Sequence, residues 1–160
     1  MHPLLRPLLN RGGAGRYLSR AESVERLQPL VRQFNRLVMD YAAAEERLAG
    51  TRHAERLGTL AKALRTEGGK LFETVFSLGG KAPTGADLEP DADALGRSAA
   101  DVLYHLLDTE RAYHEALTEE VDAVHHQERT RAILGNVARG SAARLDALRE
   151  LTARYPRRRA

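Results

Sequence analysis

The chain has 160 residues, enough for one domain with a core of its own, and its 42% apolar and 29% charged residues suit a soluble, helix-rich protein. It has no cysteine, which excludes a disulfide framework, thiol catalysis and thiolate metal sites, and no apolar run long enough to span a membrane. The net charge of +3 is uneven: residues 1–20 carry Arg6, Arg11, Arg16 and Arg20 and no acid, residues 152–160 carry Arg154, Arg157, Arg158 and Arg159 and no acid, and without those eight arginines the remainder sums to −5.

Residues 1–20 form a basic amino-terminal segment. Pro3-Leu4-Leu5-Arg6 is followed by the near-repeat Pro7-Leu8-Leu9-Asn10, then by the spacer Arg11-Gly12-Gly13-Ala14-Gly15-Arg16. Proline and arginine interrupt the apolar pieces, so no signal-peptide core forms, and a cytoplasmic location is expected; the Arg-rich, acid-free composition leaves an organelle-type targeting segment open. The plain expectation is a loosely held terminus. The sharper one is a docking peptide in which Leu4, Leu5, Leu8 and Leu9 fill pockets on a protein partner or a neighbouring subunit.

The first helix is expected from Ser19 or Ser23, with Ser19 and Glu22 making the better capping box, to a stop at Gly50. Its apolar residues fall at Val24, Leu27, Val31, Phe34, Val38, Tyr41 and Leu48, the three–four spacing of a bundle seam, with Glu45 in the gap. Pro29 either kinks this helix or opens its stable part. The second helix is expected over residues 51–78, with Leu57, Leu60, Leu64, Leu71, Val75 and Leu78 inward, Glu67 again inside the series, and Gly68-Gly69 suggesting close approach or a kink. A polar connection leads to a third helix over residues 93–124, whose inner residues are Leu95, Ala99, Val102, Leu103, Leu106, Glu110, Tyr113, Leu117 and Val121. The fourth is expected over residues 127–155, with Ile133, Leu134, Val137, Ser141, Leu145, Leu148 and Leu151 inward and a small, polar stretch at Gly140-Ser141. Four such helices with short first and last connections make an all-α, antiparallel four-helix bundle over residues 21–155, followed by a basic tail over 156–160.

Three inner or near-inner carboxylates, Glu45, Glu67 and Glu110, on three helices are the chemistry in this pattern. Burying them costs free energy unless they are paired, hydrogen-bonded or bound to metal. One expectation is that each sits at the seam edge with its head in water. Another is a polar core satisfied without metal. A third is a di-metal carboxylate site of Glu45, Glu67 and Glu110 with His114, which follows Glu110 by one turn, holding iron or manganese. The other histidines are taken as surface residues. Arg157, Arg158 and Arg159 are candidate phosphate contacts, although with little aromatic interleaving nucleic acid is the lesser expectation.

The chain resembles the ferritin-like superfamily, especially the small bacterial ferritin-like and bacterioferritin-type bundles, over residues 24–153. The likeness rests on the helical layout and Tyr41-Ala42-Ala43-Ala44-Glu45, on the helix end Phe72-Glu73-Thr74-Val75-Phe76-Ser77-Leu78-Gly79-Gly80 with Pro83 after it, and on Tyr113-His114-Glu115-Ala116-Leu117. The resemblance implies a di-iron site. The family's first-helix Glu matches Glu45; its second-helix Glu-x-x-His pair falls on Leu64 and Glu67, its third-helix Glu near Leu106, and its fourth-helix pair near Ala138 and Ser141. Most of that ligand set is therefore missing. The resulting expectation is a non-catalytic, ferritin-like, oligomeric bundle with no cofactor, acting as a binding or structural, stress-associated protein. The alternatives are a divergent di-iron or manganese carboxylate oxidase or iron-handling protein, and a DNA-associating protein using its basic ends.

Overall fold

A computed structural model of the chain describes residues 17–86, 88, 91, 93–123 and 125–156, without the side chain of Ala123. The docking leucines Leu4, Leu5, Leu8 and Leu9 and the phosphate-contact candidates Arg157, Arg158 and Arg159 lie outside the described residues. Among the described residues the protein is all-helical, with four helices and no strand: α1 (Arg20–Arg47), α2 (Ala54–Ser77), α3 (Ala99–Ala123) and α4 (Glu128–Thr152).

Local chemistry sets the helix ends. Ser19 caps α1: its hydroxyl accepts from the Glu22 amide, and the Glu22 carboxylate accepts from the Ser19 amide. Pro29 lies within α1, which continues through it as one helix. The helix stops at Arg47, three residues before the expected Gly50, which sits in the following turn. α2 closes with a Schellman motif: Gly79 has φ +85°, its amide bonds to Phe76 O at 2.9 Å, and the Gly80 amide bonds to Val75 O at 3.0 Å. The third helix begins later than expected, at Ala99, where Ser98 and Asp101 form a reciprocal cap; Asp91 accepts from the Ala94 amide only in the turn that precedes it. Leu95 remains buried, in the turn before the helix.

Each helix packs against two others: α1 on α2 and α3, and α4 on α2 and α3, an arrangement consistent with a four-helix bundle. Arg26 of α1 reaches Glu120 near the end of α3, Tyr41 reaches Glu110, and Arg47 reaches Gly96 just before α3. On the α2 side, Val24 of α1 lies against Gly80 and Phe34 against Gly68. The α2–α3 connection is 21 residues, longer than the expected bounds of residues 78 and 93 leave room for. It follows the length of α1: Gln28 donates to Lys81 O, Asn35 to Pro83 O and Arg47 to Gly96 O. Those α1 positions are about 28 Å apart at the helical rise.

The core is one cluster of leucines with Val31, Phe34, Tyr41, Val75, Val102, Tyr113 and Val137. The adjacent Gly68 and Gly69 play opposite parts. A Cβ on Gly68 would lie 1.8 Å from the Phe34 ring, so this glycine lets α2 approach α1 closely; a Cβ on exposed Gly69 would meet nothing. Gly68→Ala should therefore destabilise the fold by about 2–3 kcal/mol through overpacking. Gly69→Ala should stabilise it by about 0.5–1 kcal/mol through helix propensity. Urea unfolding of the two variants checks both, and equal effects would refute the assignment of Gly68 to the close contact.

Candidate functional site

The centre of the bundle is polar. Every helix sends a side chain there: Tyr41 from α1, Glu67 from α2, Glu110 from α3, and Ser141 and Arg144 from α4. Glu110 is fully buried and Arg144 is 2% exposed. The guanidinium grips Glu110 in a fork, Nε donating to Oε2 at 3.0 Å and Nη2 to Oε1 at 2.9 Å. Its remaining arm, Nη1, donates to Glu67 Oε2. The Ser141 hydroxyl donates to Glu110 Oε1 at 2.5 Å and the Tyr41 hydroxyl to Oε2 at 3.2 Å. Glu110 thus accepts four hydrogen bonds, two on each oxygen, which matches the lone pairs a carboxylate has.

Small residues on α4 make the room. Ser141 is fully buried, and Gly140 lies so near the Glu67 carboxylate that a Cβ there would fall 2.0 Å from Oε1. The stretch Gly140-Ser141 is therefore the space into which two carboxylates and one guanidinium fit. Burial and the neighbouring Glu110 push the Tyr41 hydroxyl above its usual range. Desolvation opposes the charge on Arg144, but its bonds to Glu110 and Glu67 outweigh it and raise the guanidinium further. Burial raises the half-buried Glu67 carboxyl despite Arg144, so its ionised form is only partly compensated.

Of the four expected metal ligands, the structure brings two together, Glu67 and Glu110, and places Arg144 on both. Glu45 is not inner: Ala44 takes the fully buried slot one residue earlier, and Glu45 lies half-buried, 3.8 Å from Arg65. The physical reason is the helical phase, since three residues after Tyr41 is Ala44. His114 is half-buried and its Nδ1 has no hydrogen-bond partner. Among the described residues no group of three or more His, Asp or Glu could hold a metal ion. The residues present therefore do not fit a di-iron or di-manganese group, because the lone pairs of Glu110 already bind a guanidinium and two hydroxyls.

Two further clusters lie at the bundle ends, and both overturn the expectation that the other histidines are surface residues. His126, in the α3–α4 turn, is 1% exposed; its Nε2 lies 2.7 Å from Glu120 Oε1 and its Nδ1 3.3 Å from Ser23 Oγ. Arg26 binds the same carboxylate with Nε and Nη2, at 3.1 and 2.9 Å. At the opposite end His53 is buried, 2.8 Å from the Tyr155 hydroxyl, while the Tyr104 hydroxyl donates to Tyr155 O at 2.7 Å. The physical cause is shared: each histidine finds a polar partner from another segment, which makes its burial tolerable.

Arg144 is the functional residue that sequence reasoning missed. The signal was available, since 134, 137, 141, 144 and 148 continue the three–four spacing and place an arginine on the seam beside Ser141. Comparisons with protein-family models, curated proteins and solved structures return no match for the chain.

Arg144→Met should destabilise the protein by about 3–5 kcal/mol, because it leaves Glu110 charged and buried without its cation. Adding Glu110→Leu should recover most of that loss. A urea-unfolding double-mutant cycle measures the coupling, and additive effects would show that the pair does not act as a unit. Tyr41→Phe should cost about 1 kcal/mol by removing a buried hydrogen bond, whereas Tyr113→Phe should stabilise by a similar amount, because the Tyr113 hydroxyl is buried without a partner.

The Glu120 carboxyl predicts a pH dependence. Burial alone would raise it, but hydrogen bonds from His126 and Arg26 hold it below the ordinary value of 4.5. A carboxyl whose folded value is depressed contributes stability above its unfolded value, and that stability is lost as pH falls through the folded value. Stability against acid should thus decline less steeply in Glu120→Gln than in the unaltered chain over this window, read by urea unfolding at stepped pH.

Proposed function

We propose that the protein is a non-catalytic, ferritin-like, antiparallel helical bundle that acts as a binding or structural protein, with its internal cation supplied by Arg144 rather than by a metal. The observation that carries this reading is the guanidinium bonded to both Glu67 and Glu110. An arginine at that point neutralises one of the two carboxylate charges and saturates Glu110, the more buried of the two. A catalytic metal site keeps an open coordination position for water or substrate.

The layout supports the ferritin-like part of the proposal. End-to-end pairing of α1 with α3, through Arg26–Glu120 and Arg47–Gly96, and of α2 with α4, through Glu67–Arg144 and His53–Tyr155, suits packed neighbours that run antiparallel, with α2 and α3 in the same direction. The long α2–α3 connection beside α1 suits helical hairpins joined by a lengthwise crossover, a connection that ferritin-like folds use. A bundle whose interior is closed presents its outer helix faces for function, which favours assembly into an oligomer or capture of a partner.

Protein produced with excess iron and, separately, with excess manganese should carry far less than one metal ion per chain and should not accelerate oxygen-dependent Fe(II) oxidation. Two metal ions per chain, lost on Glu67→Ala, would overturn the proposal.

A further inference from the structure

The outer face of the α3–α4 pair carries an open groove of about 410 Å³. Val121, Ala132 and Gly135 line it together with Glu128, Arg131, Asn136 and Arg139. Gly135 is mid-helix, and a Cβ built there would meet only the Arg139 guanidinium, at 3.8 Å. Gly135 therefore leaves open space above the helix at this point.

The described chain begins beside this groove. The Leu18 amide donates to His125 O at 2.9 Å, fastening the start of the chain to the α3–α4 turn. Val121 and Glu128 lie on either side of that turn. Sixteen residues precede the described ones, including Leu4-Leu5 and Leu8-Leu9. Leu9 is nine residues from the fastened Leu18, a reach of about 30 Å for extended chain. Residues 128–139 of α4 cover about 16 Å, so the leucines can reach every part of the groove without strain.

Charge agrees with this placement. Residues 1–16 hold Arg6, Arg11 and Arg16 and no acid. The same end of the α3–α4 pair presents exposed Glu119, Asp122 and Glu128, three acids against the exposed Arg129 and Arg131. Arg131, one turn from Glu128, and Arg139 also line the groove, and Arg139 is engaged with Asn136.

We propose that the groove is the docking site for the chain's own amino-terminal segment, with the Pro-Leu-Leu repeats over residues 3–9 lying on Val121, Ala132 and Gly135 and the arginines facing the acids at the α3–α4 turn. Proline-restricted peptides lose little entropy on docking, and the short tether raises the effective concentration of the segment.

The test uses the full chain. Because the protein has no cysteine, Ala132→Cys gives one nitroxide position at an exposed residue lining the groove, and Glu55→Cys gives a control on α2. The amide signals of Leu4, Leu5, Leu8 and Leu9 should lose intensity several-fold with the label at 132 and should be little changed with the label at 55. The loss should persist on dilution. Gly135→Arg, which fills the groove on an exposed helix face, should abolish it. Mixing isotope-labelled chains that lack the nitroxide with unlabelled chains that carry it should give no loss. Equal losses from both label positions, no loss from 132, or a loss confined to the mixed sample would each overturn the proposal, the last by placing the segment on a second copy.

Discussion

Arg144 and Glu110 impose the condition on which the rest of the interior depends. Both are buried, and neither charge is tolerable alone in that position. The guanidinium must face Glu110 squarely to make its fork, and its third arm must find Glu67. That demand fixes α4 against α3 and α2 at once. Tyr41 adds α1 through the second oxygen of Glu110. An all-leucine interior would let helices slide by a turn at modest cost. Here a one-turn slip strands a buried charge, so the expected gain from the polar centre is register rather than net stability.

The surrounding packing is arranged to make this centre possible. Gly140 and Ser141 are small where the carboxylates need volume, and Gly68 is small where Phe34 crosses α2. Phe34 in turn lies edge-on to Phe72 at 5.6 Å and near the Tyr113 ring at 6.4 Å. Aromatic bulk therefore fills one level of the bundle and the charge cluster the next. The two ends are closed by different chemistry: Arg26, Glu120, His126 and Ser23 at one, and His53, Tyr155 and Tyr104 at the other.

This arrangement fills the interior with groups that answer one another. Polar groups gathered at the centre of a helical bundle usually invite the question of what they bind. In this protein they bind one another, and the bound cation is part of the chain. On the outside, the α3–α4 pair leaves an open groove next to the point at which the described chain begins.

Much of the fold was legible in the sequence because helices obey local rules. The three–four spacing marked the four helices, the Ser19–Glu22 pair marked the start of α1, and Gly79-Gly80 marked the end of α2. The late start of α3 was also local, set by the Ser98–Asp101 cap. The candidate site was half legible. Glu67, Glu110 and the small stretch Gly140-Ser141 were visible as departures from an apolar seam. What they were for was not, because that depends on which side chains from separate helices reach the same level. Glu45 and Ala44 differ by one residue in sequence and by burial in the structure. His126 and Ser23 are 103 residues apart and meet. The sequence by itself determined four amphipathic helices and the presence of inner carboxylates. Only the tertiary structure decided that an arginine answers them, since pairing buried charges is a matter of distances that no spacing along one helix contains.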